Sequence, residues 1–273
     1  MAKIKKIIKS FIPPIILDFF SSFRKSALTW NGNYESWNAA LLESEGYGKL
    51  EILEKCKDSL LRVKNKEAIY ERDSVIFDTA DYSWPLLSQI QKSAMHLNRE
   101  LVVLDFGGSL GSTYYQIKSF LEDTIKLKWC IVEQGHFVET GELYFQNEEL
   151  LFFKSIDDAI SAFKPDLILL SSVLQYLEKP YDIVQKLCSL NVKYIIIDRT
   201  PMSSIEKDMI TVQSVPEEIY NASYPSWIFS EKKFLNQFYN YGNEIKFNNG
   251  FTNSIVLNNH KVEWNGFILK LIK

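Results

Sequence analysis

The most chemically loaded stretch of the 273-residue sequence is Asp105-Phe106-Gly107-Gly108-Ser109-Leu110-Gly111-Ser112. A carboxylate stands just before three glycines, and a glycine lets the backbone approach a ligand because no Cβ intervenes. Tyr114, Ile117 and Leu121 then recur at helical spacing, so the loop leads into the unpaired N–H groups of a helix start. Three ligand classes compete for such a loop. A phosphate-cradling loop ends in Gly-Lys-Ser/Thr, and no lysine follows the glycines before Lys118. A dinucleotide fingerprint G-x-G-x-x-G begun at Gly107 requires glycine at 109 and 112, and both are serine. An acid at position 105 also sits poorly beside a pyrophosphate. The third class is cationic: S-adenosylmethionine has an ammonium group and a sulfonium, which a carboxylate attracts. In that reading Asp105 accepts hydrogen bonds from the ammonium end, directly or through water, and Gly107, Gly108, Ser109 and Gly111 form the cradle. A tight strand-to-helix turn with no ligand is the structural alternative.

Other polar residues close apolar runs. Glu133 ends WCIVE, where a carboxylate can receive both hydroxyls of a ribose, and Gln134 follows within reach of ribose or adenine. Enzymes that bind NAD place an acid similarly, so Glu133 does not separate the two cofactors; the glycine spacing does. Ser155-Ile156-Asp157-Asp158 reads as a helix start, and no adenine contact is assigned there. Ser171 and Ser172 follow DLILL and open the turn SSVLQYLEKP, which would line the cleft between cofactor and acceptor. Tyr176 in that turn can orient an acceptor, although a phenol of pKa ~10 is a weak base. Asp198 and Arg199 follow YIII; a general base and an Asp–Arg ion pair are equally good readings. Gln213, Tyr220, Tyr224 and Trp227 combine aromatic faces with an amide, which suits a sugar, whereas lid packing is the plainer explanation. Glu71-Arg72-Asp73 either closes over the cofactor or forms a capping cluster, and His136 reads as a solvated histidine.

These residues need a scaffold that gathers the ends of separate runs. LVVLDF (101–106), WCIVE (129–133), LLFF (150–153), DLILL (166–170) and YIIID (194–198) are short and apolar, and alternate with helical stretches. Strands buried on both faces of a parallel sheet read this way, and the repeated alternation implies a Rossmann-like, doubly wound, mostly parallel α/β sheet. Ligands of such sheets bind beyond the carboxyl ends of the strands. After helical SEKKFLNQFYNYG, the runs NEIKFNNGF and VEWNGFILKLI predict an antiparallel hairpin at one sheet edge. From Thr29 to about Glu100 the pattern predicts a helical extension or lid. Ser36 caps a first helix, and Gly46 and Gly48 punctuate the turn. Leu50, Leu53, Cys56 and Leu60 line a second helix, and Pro85 opens a third. The expected divisions are a basic segment 1–28, the extension 29–100 and the Rossmann-like domain 101–273.

Charge and composition narrow the function. With 31 basic and 34 acidic residues the chain lacks the basic surplus of a general nucleic-acid binder. Three cysteines and three histidines, none at metal-ligand spacing, predict no disulfide framework, no metal site and a reducing, cytoplasmic setting. Residues 1–25 hold six basic side chains against Asp18 alone. Pro13-Pro14, Asp18 and the lack of a small-residue cleavage site argue against a signal peptide. Peripheral docking on the anionic inner membrane face and ordinary terminal packing both fit this start.

DFGGSLGS, IVEQ, SSVLQYLEKP and IIIDRTP together resemble class I S-adenosylmethionine-dependent methyltransferases. More narrowly, the chain resembles a family, assigned as methyltransferases, encoded among bacterial surface-polysaccharide genes. NGNYESWNAA, Glu45-Gly46-Tyr47, Glu71-Arg72-Asp73, TVQSVPEEIY and ASYPSWIFS carry that likeness, which spans residues 30 to 273. It implies methyl transfer from S-adenosylmethionine, with a sugar or glycan-precursor hydroxyl as acceptor. Tyr176 stands where many relatives have a histidine. The commoner loop reads D-x-G-x-G-x-G; here Ser109 replaces the middle glycine beside an extra Gly108, and a serine predicts an ordinary negative φ. The N-P-P-Y signature of exocyclic-amine methyltransferases is absent, which disfavours nucleobase and amide nitrogen acceptors. Two other classes stay open. An NAD-dependent sugar-modifying enzyme would need Y-x-x-x-K in the helix after the fourth strand, and none is there. A methyltransferase-fold binding protein without chemistry would have little reason to keep Asp105, the glycine loop and Glu133 together.

Overall fold

The computed structural model describes residues 28–44, 49–72, 74–77, 79, 82–95, 97, 99–121, 125–216, 222–248 and 254–272. The basic segment, the Gly46–Gly48 turn, Asp73 and Tyr220 lie outside the described residues. In chain order the elements are β1 (Thr29–Tyr34), α1 (Trp37–Leu42), α2 (Lys49–Lys64), β2 (Tyr70–Arg72), β3 (Val75–Phe77), α3 (Trp84–Ala94) and β4 (Leu101–Phe106). There follow α4 (Ser112–Lys118), β5 (Leu127–Val132), α5 (Gly135–Tyr144), β6 (Leu150–Phe153), α6 (Ile156–Ala162), β7 (Leu167–Ser171) and a 3-10 turn (Leu174–Tyr176). The rest is α7 (Pro180–Ser189), β8 (Tyr194–Ser203), β9 (Met209–Val215), β10 (Ala222–Ser230), α8 (Glu231–Leu235), β11 (Tyr241–Phe247), β12 (Ile255–Leu257) and β13 (His260–Leu271).

The five apolar runs pair in parallel in the order β6-β5-β4-β7-β8, so the strand order reverses at β4. Helices cover both faces, as the uninterrupted apolar composition requires. Leu101, Val103, Trp129, Ile131, Leu167, Leu169 and Ile196 pack beneath α2 to α5. The alternate residues, on the other side of each strand, such as Leu104, Ile168 and Ile195, pack beneath α6 to α8. The expected doubly wound sheet is therefore present. The tail pairs as anticipated, with β13 lying antiparallel between β8 and β11.

Local capping agrees with the sequence. Ser36 accepts from the Ala39 N–H, Ser155 accepts from the Asp158 N–H, and Pro85 sits in the first turn of α3. The residue types at these positions satisfy helix-end donors regardless of what packs around them.

Residues 29–100 are not the all-helical stretch that was expected. Thr29–Tyr34 form a strand, and β2 and β3 form a hairpin. The two aromatic runs after β8 are strands as well. β10 lies parallel to the last residues of β8, pairing Phe229 with Met202 on the edge that β7 leaves open beyond Ser171. β9 and β1 then add antiparallel. These strands lack alternation because both faces of β9 are buried: α1 covers Ile210 and Val212, and α2 approaches Val215 on the other side. The helical tail SEKKFLNQFYNYG is helical only over the five residues of α8.

The packing is tight enough to test. A Cβ at Gly141 of α5 would lie 2.4 Å from the Phe152 ring on β6. Gly141→Ala is expected to destabilise the protein by ~1–3 kcal/mol, through overpacking, in urea denaturation. Among the described residues no helix is long and apolar enough to cross a membrane, and no group of three His, Cys, Asp or Glu could hold a metal. All three cysteines are free thiols, and burial pushes Cys130 up to about 12 and Cys188 up to about 11.

Candidate functional site

The loop between β4 and α4 is shaped by close approach on two sides. Gly107 has φ 76°, and a Cβ there would lie 2.2 Å from Val173 Cγ2 in the turn after β7. At Gly108 a Cβ would lie 2.4 Å from Asp105 Oδ2. Gly111, at φ 107°, supplies the residue before α4. Ser109 also takes the left-handed conformation, with φ 53°. The expected negative φ is thus overturned: the turn imposes the same backbone that a glycine would adopt, at a cost of about 1 kcal/mol or more for a side chain. The Ser109 N–H then points at Glu133, donating to Oε1 at 3.3 Å.

Strand parity gathers the polar ends. Side chains two residues apart share a face, so Asp105 follows Leu101 and Val103, Glu133 follows Trp129 and Ile131, Ser171 follows Leu167 and Leu169, and Asp198 follows Ile196. All four stand on the α2–α5 face at the carboxyl ends of neighbouring strands, with Asp105 opposite Leu169 and Ser171 opposite Asp198. The strand order reverses at this point, where open α/β sheets bind ligands.

Burial has a large electrostatic effect here. Asp105 is 1% exposed, and its Oδ2 accepts from the Trp129 indole at 2.9 Å. Burial pushes its carboxyl up to about 7 against that hydrogen bond; the charge of Glu133 adds to the rise, and that of Arg199 opposes it. Burial also raises Glu133, while the N–H groups of Gln134 and Ser109 oppose the rise. Asp198 is raised by burial too, opposed by Arg199, the Arg199 N–H and the hydroxyls of Ser171 and Ser83. Three carboxyl groups held above their usual range around one loop favour a cationic ligand, which would restore their charge.

Asp198 and Arg199 form a bulge in β8, two residues facing Gly266 on β13. Arg199 takes φ 49° there, and its Nε and Nη2 both lie 3.3 Å from Ser171 Oγ. The bulge keeps the guanidinium over the strand ends, within electrostatic reach of both Asp105 and Asp198. The Arg199 guanidinium thus acts on the Asp198 carboxyl through its charge, opposing the rise that burial causes.

The turn after β7 connects this cluster to β9 and β10. Ser172 has φ 53°, its N–H donates to the Asp198 carbonyl at 2.9 Å, and its Oγ accepts from Gln175 Nε2 at 2.9 Å. The Tyr176 hydroxyl donates to Gln213 Oε1 at 3.1 Å, and its ring meets Tyr224 edge-on at 5.3 Å. Tyr176, Gln213 and Tyr224 thus converge. Trp227 is set apart: odd-numbered on β10, it faces the α6–α8 side, stacks on Trp37 and Phe229, and donates to the Leu177 carbonyl at 2.8 Å. Gln134 is exposed, with its N–H on Glu133 Oε2 at 2.8 Å. Glu71 accepts from Ser112 Oγ at 2.6 Å, and its carbonyl accepts from Gln116 Nε2 at 2.9 Å. Glu71 therefore docks the extension onto α4 as a capping group.

Trp129, Ser83 and Gln175 belong to the cluster without having been marked as site residues. Trp129 was legible in principle, because it precedes Glu133 by four residues on the same strand and so shares its face. Ser83 and Gln175 carried no such signal. Gln175 is 1% exposed, and its Oε1 has no hydrogen-bond partner among the described residues. A cavity of about 500 Å³ lies behind α4, between α2 and β2, and none of Asp105, Glu133 and Asp198 lines it.

No family model matches the chain, and no curated protein matches it. Among solved structures it is similar to the N-terminal domain of EvdMO1 in the presence of SAH and D-fucose, at 9% identity, over 83% of this chain and 98% of that one, with a TM-score of 0.47. It is also similar to an S-adenosylmethionine-dependent methyltransferase from Clostridium acetobutylicum, at 11% identity over 72% and 94% of the two chains, TM-score 0.46. A third is CalS10, an amino pentose methyltransferase from Micromonospora echinaspora, at 8% identity over 69% and 89%, TM-score 0.43. At such identities these likenesses concern the course of the chain and say nothing of its chemistry.

Proposed function

We propose that this chain is an S-adenosylmethionine-dependent O-methyltransferase whose acceptor is a hydroxyl of a sugar or glycan precursor. The observation that carries the reading is the convergence of Asp105, Glu133 and the Ser109 N–H on one face at the strand-order reversal, with a loop whose glycines leave no room for a Cβ. The donor set fits the cofactor: Asp105 for the ammonium group, Glu133 for the ribose hydroxyls, Gly107 to Gly111 for backbone approach, and Ser171, Ser172 and Gln134 at the rim. The motif resemblance to class I methyltransferases, including the narrower surface-polysaccharide family, supports the same assignment.

The bound cofactor supplies an activated methyl group, so the chain's own work is alignment, exclusion of water and removal of one proton. Alignment alone is worth up to ~7–11 kcal/mol. Asp198, raised by burial above the usual carboxylate range, is the carboxyl group we assign to accept the proton of the acceptor hydroxyl. Arg199 beside it would favour the ionised carboxylate that takes the proton, leaving a neutral carboxyl group once the methyl ether has formed. The Tyr176 hydroxyl donates to Gln213 Oε1, which makes it an orienting group rather than a base in this reading.

Calorimetry with S-adenosylhomocysteine tests the cofactor assignment. Micromolar binding is expected, with no competition from NAD; absence of binding at millimolar ligand, or tighter binding of NAD, would remove it.

A further inference from the structure

Trp129 is fully buried, and its surroundings do not by themselves call for an indole. Val103 on β4 and Leu150 on β6 lie opposite it, and Leu127 and Ile131 flank it on the same face of β5. A purely apolar ring would bury equally well among them. What the indole adds is one donor, which would cost stability if it were left without a partner. That donor reaches diagonally across the parallel pair. Asp105 stands opposite Ile131, two residues beyond Trp129, and the indole N–H donates to Asp105 Oδ2 at 2.9 Å. Both side chains are buried, so the bond is made in a low-dielectric setting, where a charged acceptor gains most from a donor.

The bond also fixes the carboxylate. Oδ2 is turned to the indole, and the glycine loop closes over the group: a Cβ at Gly108 would lie 2.4 Å from Oδ2 and 3.0 Å from Oδ1. No side-chain donor among the described residues reaches Oδ1. The charges around the pair come from separate elements. Glu133, at the end of β5, works against ionisation of Asp105, and Arg199 on β8 favours it. Asp198 stands beside Arg199 on β8, where that guanidinium also acts on it. Next to the indole, Tyr114 of α4 meets Trp129 edge-on at 6.0 Å and donates to Glu149 Oε2, while Lys118 bonds to Glu149 Oε1. Among the described residues no basic side chain bonds to Asp105 itself; its one side-chain donor is Trp129.

We propose that Trp129 is a positioning residue for the ammonium group of the cofactor: acting through Asp105, its N–H holds Oδ2, leaves Oδ1 to the ligand, and favours the charged carboxylate that a cation needs. The inference rests on the cofactor assignment above and adds the residue that prepares Asp105 for it. A tryptophan that only fills space would, when replaced, weaken binding by the same factor at every pH. Loss of a donor to the carboxylate makes ionisation of Asp105 harder as well. Its effect is therefore largest where the carboxyl is still protonated and fades as the pH rises.

The test is calorimetry of S-adenosylhomocysteine binding by the full chain at pH 6 and pH 8, in wild type and in Trp129→Phe, which keeps an aromatic ring and removes the donor. Asp105 lies at about 7 in the wild type, and loss of the indole bond should raise it by about one unit. The variant is then expected to bind about tenfold more weakly at pH 6 and only about twofold more weakly at pH 8. In an Asp105→Asn background the same substitution should leave a gap that does not change with pH. A measurement on the wild type guards against a variant that packs poorly. The indole N–H proton resonance that Asp105→Asn displaces should move with pH through about 7. S-adenosylhomocysteine added at pH 6 should carry it to its high-pH position, because the ammonium group ionises the carboxyl. A gap of the same size at pH 6 and pH 8, or an indole resonance unmoved by bound nucleoside, overturns the proposal and leaves the cofactor assignment standing. Absence of nucleoside binding by the wild type removes the cofactor assignment and this role with it.

Discussion

Asp105→Asn is expected to flatten the pH dependence of stability of the unliganded protein. Asp105 is pushed up to about 7 in the fold, from 3.8 in the open chain. The folded state therefore binds this proton more tightly than the unfolded one. Its contribution is fully present below about pH 4 and is lost as pH rises through about 7. A shift of about three units corresponds to up to ~4 kcal/mol. Glu133 and Asp198 are raised in the same direction, so the wild-type urea midpoint should fall between pH 5 and 8. Asparagine cannot ionise, yet it can still accept from the Trp129 indole, so the variant should hold its midpoint better across that range. If the two profiles superimpose, the Asp105 carboxylate is already ionised at pH 5 and water reaches it. With a cationic ligand the sign reverses, since an ammonium group beside Asp105 favours the ionised form. S-adenosylhomocysteine should then bind more tightly at pH 8 than at pH 6, releasing a proton that appears as a buffer-dependent heat.

Glu133→Ala should lower affinity for S-adenosylhomocysteine by about a hundredfold, the loss of two charge-assisted hydrogen bonds of ~1.5 kcal/mol each. It would also leave the Ser109 and Gln134 N–H groups without the carboxylate they now share, which loosens the loop. Glu133→Gln keeps an acceptor for one of those N–H groups while removing the charge, so about a tenfold loss is expected. Calorimetry of both variants checks the order. Equal affinity in wild type and alanine variant would mean that the ribose is held elsewhere.

These two residues were legible because each ends an apolar run. In a doubly wound sheet the end of a strand is the ligand side, so a run of apolar residues followed by one acid already indicates a place and a direction. The Ser109 conformation was misread for a related reason. Residue type states a preference of about 1 kcal/mol, and a turn pinned by Val173 on Gly107 and by Asp105 on Gly108 overrides it. Tyr176, Gln213 and Tyr224 were singled out for their chemistry, and they meet; Trp227 was chosen on the same grounds and faces away. Only the pairing of β10 with β8 decides which of two aromatic residues three positions apart shares the sheet face of Asp105 and Asp198.

What the sequence determined by itself was local or periodic: the five buried runs, the caps at Ser36 and Ser155, the proline that opens α3, and the acids waiting at strand ends. Each depends on residues close in the chain, whose preferences act before anything else packs. What the tertiary structure decided was the bulge that holds Arg199 over the strand ends, the bond that ties the Trp129 indole to Asp105, and the flange of strands β1, β9 and β10. Those strands are buried on both sides or lie at an edge, so they show no alternation to read. Their register joins residues far apart in sequence, Trp30 opposite Gln213 and Phe229 opposite Met202 among them, and such pairing exists only once the sheet has formed.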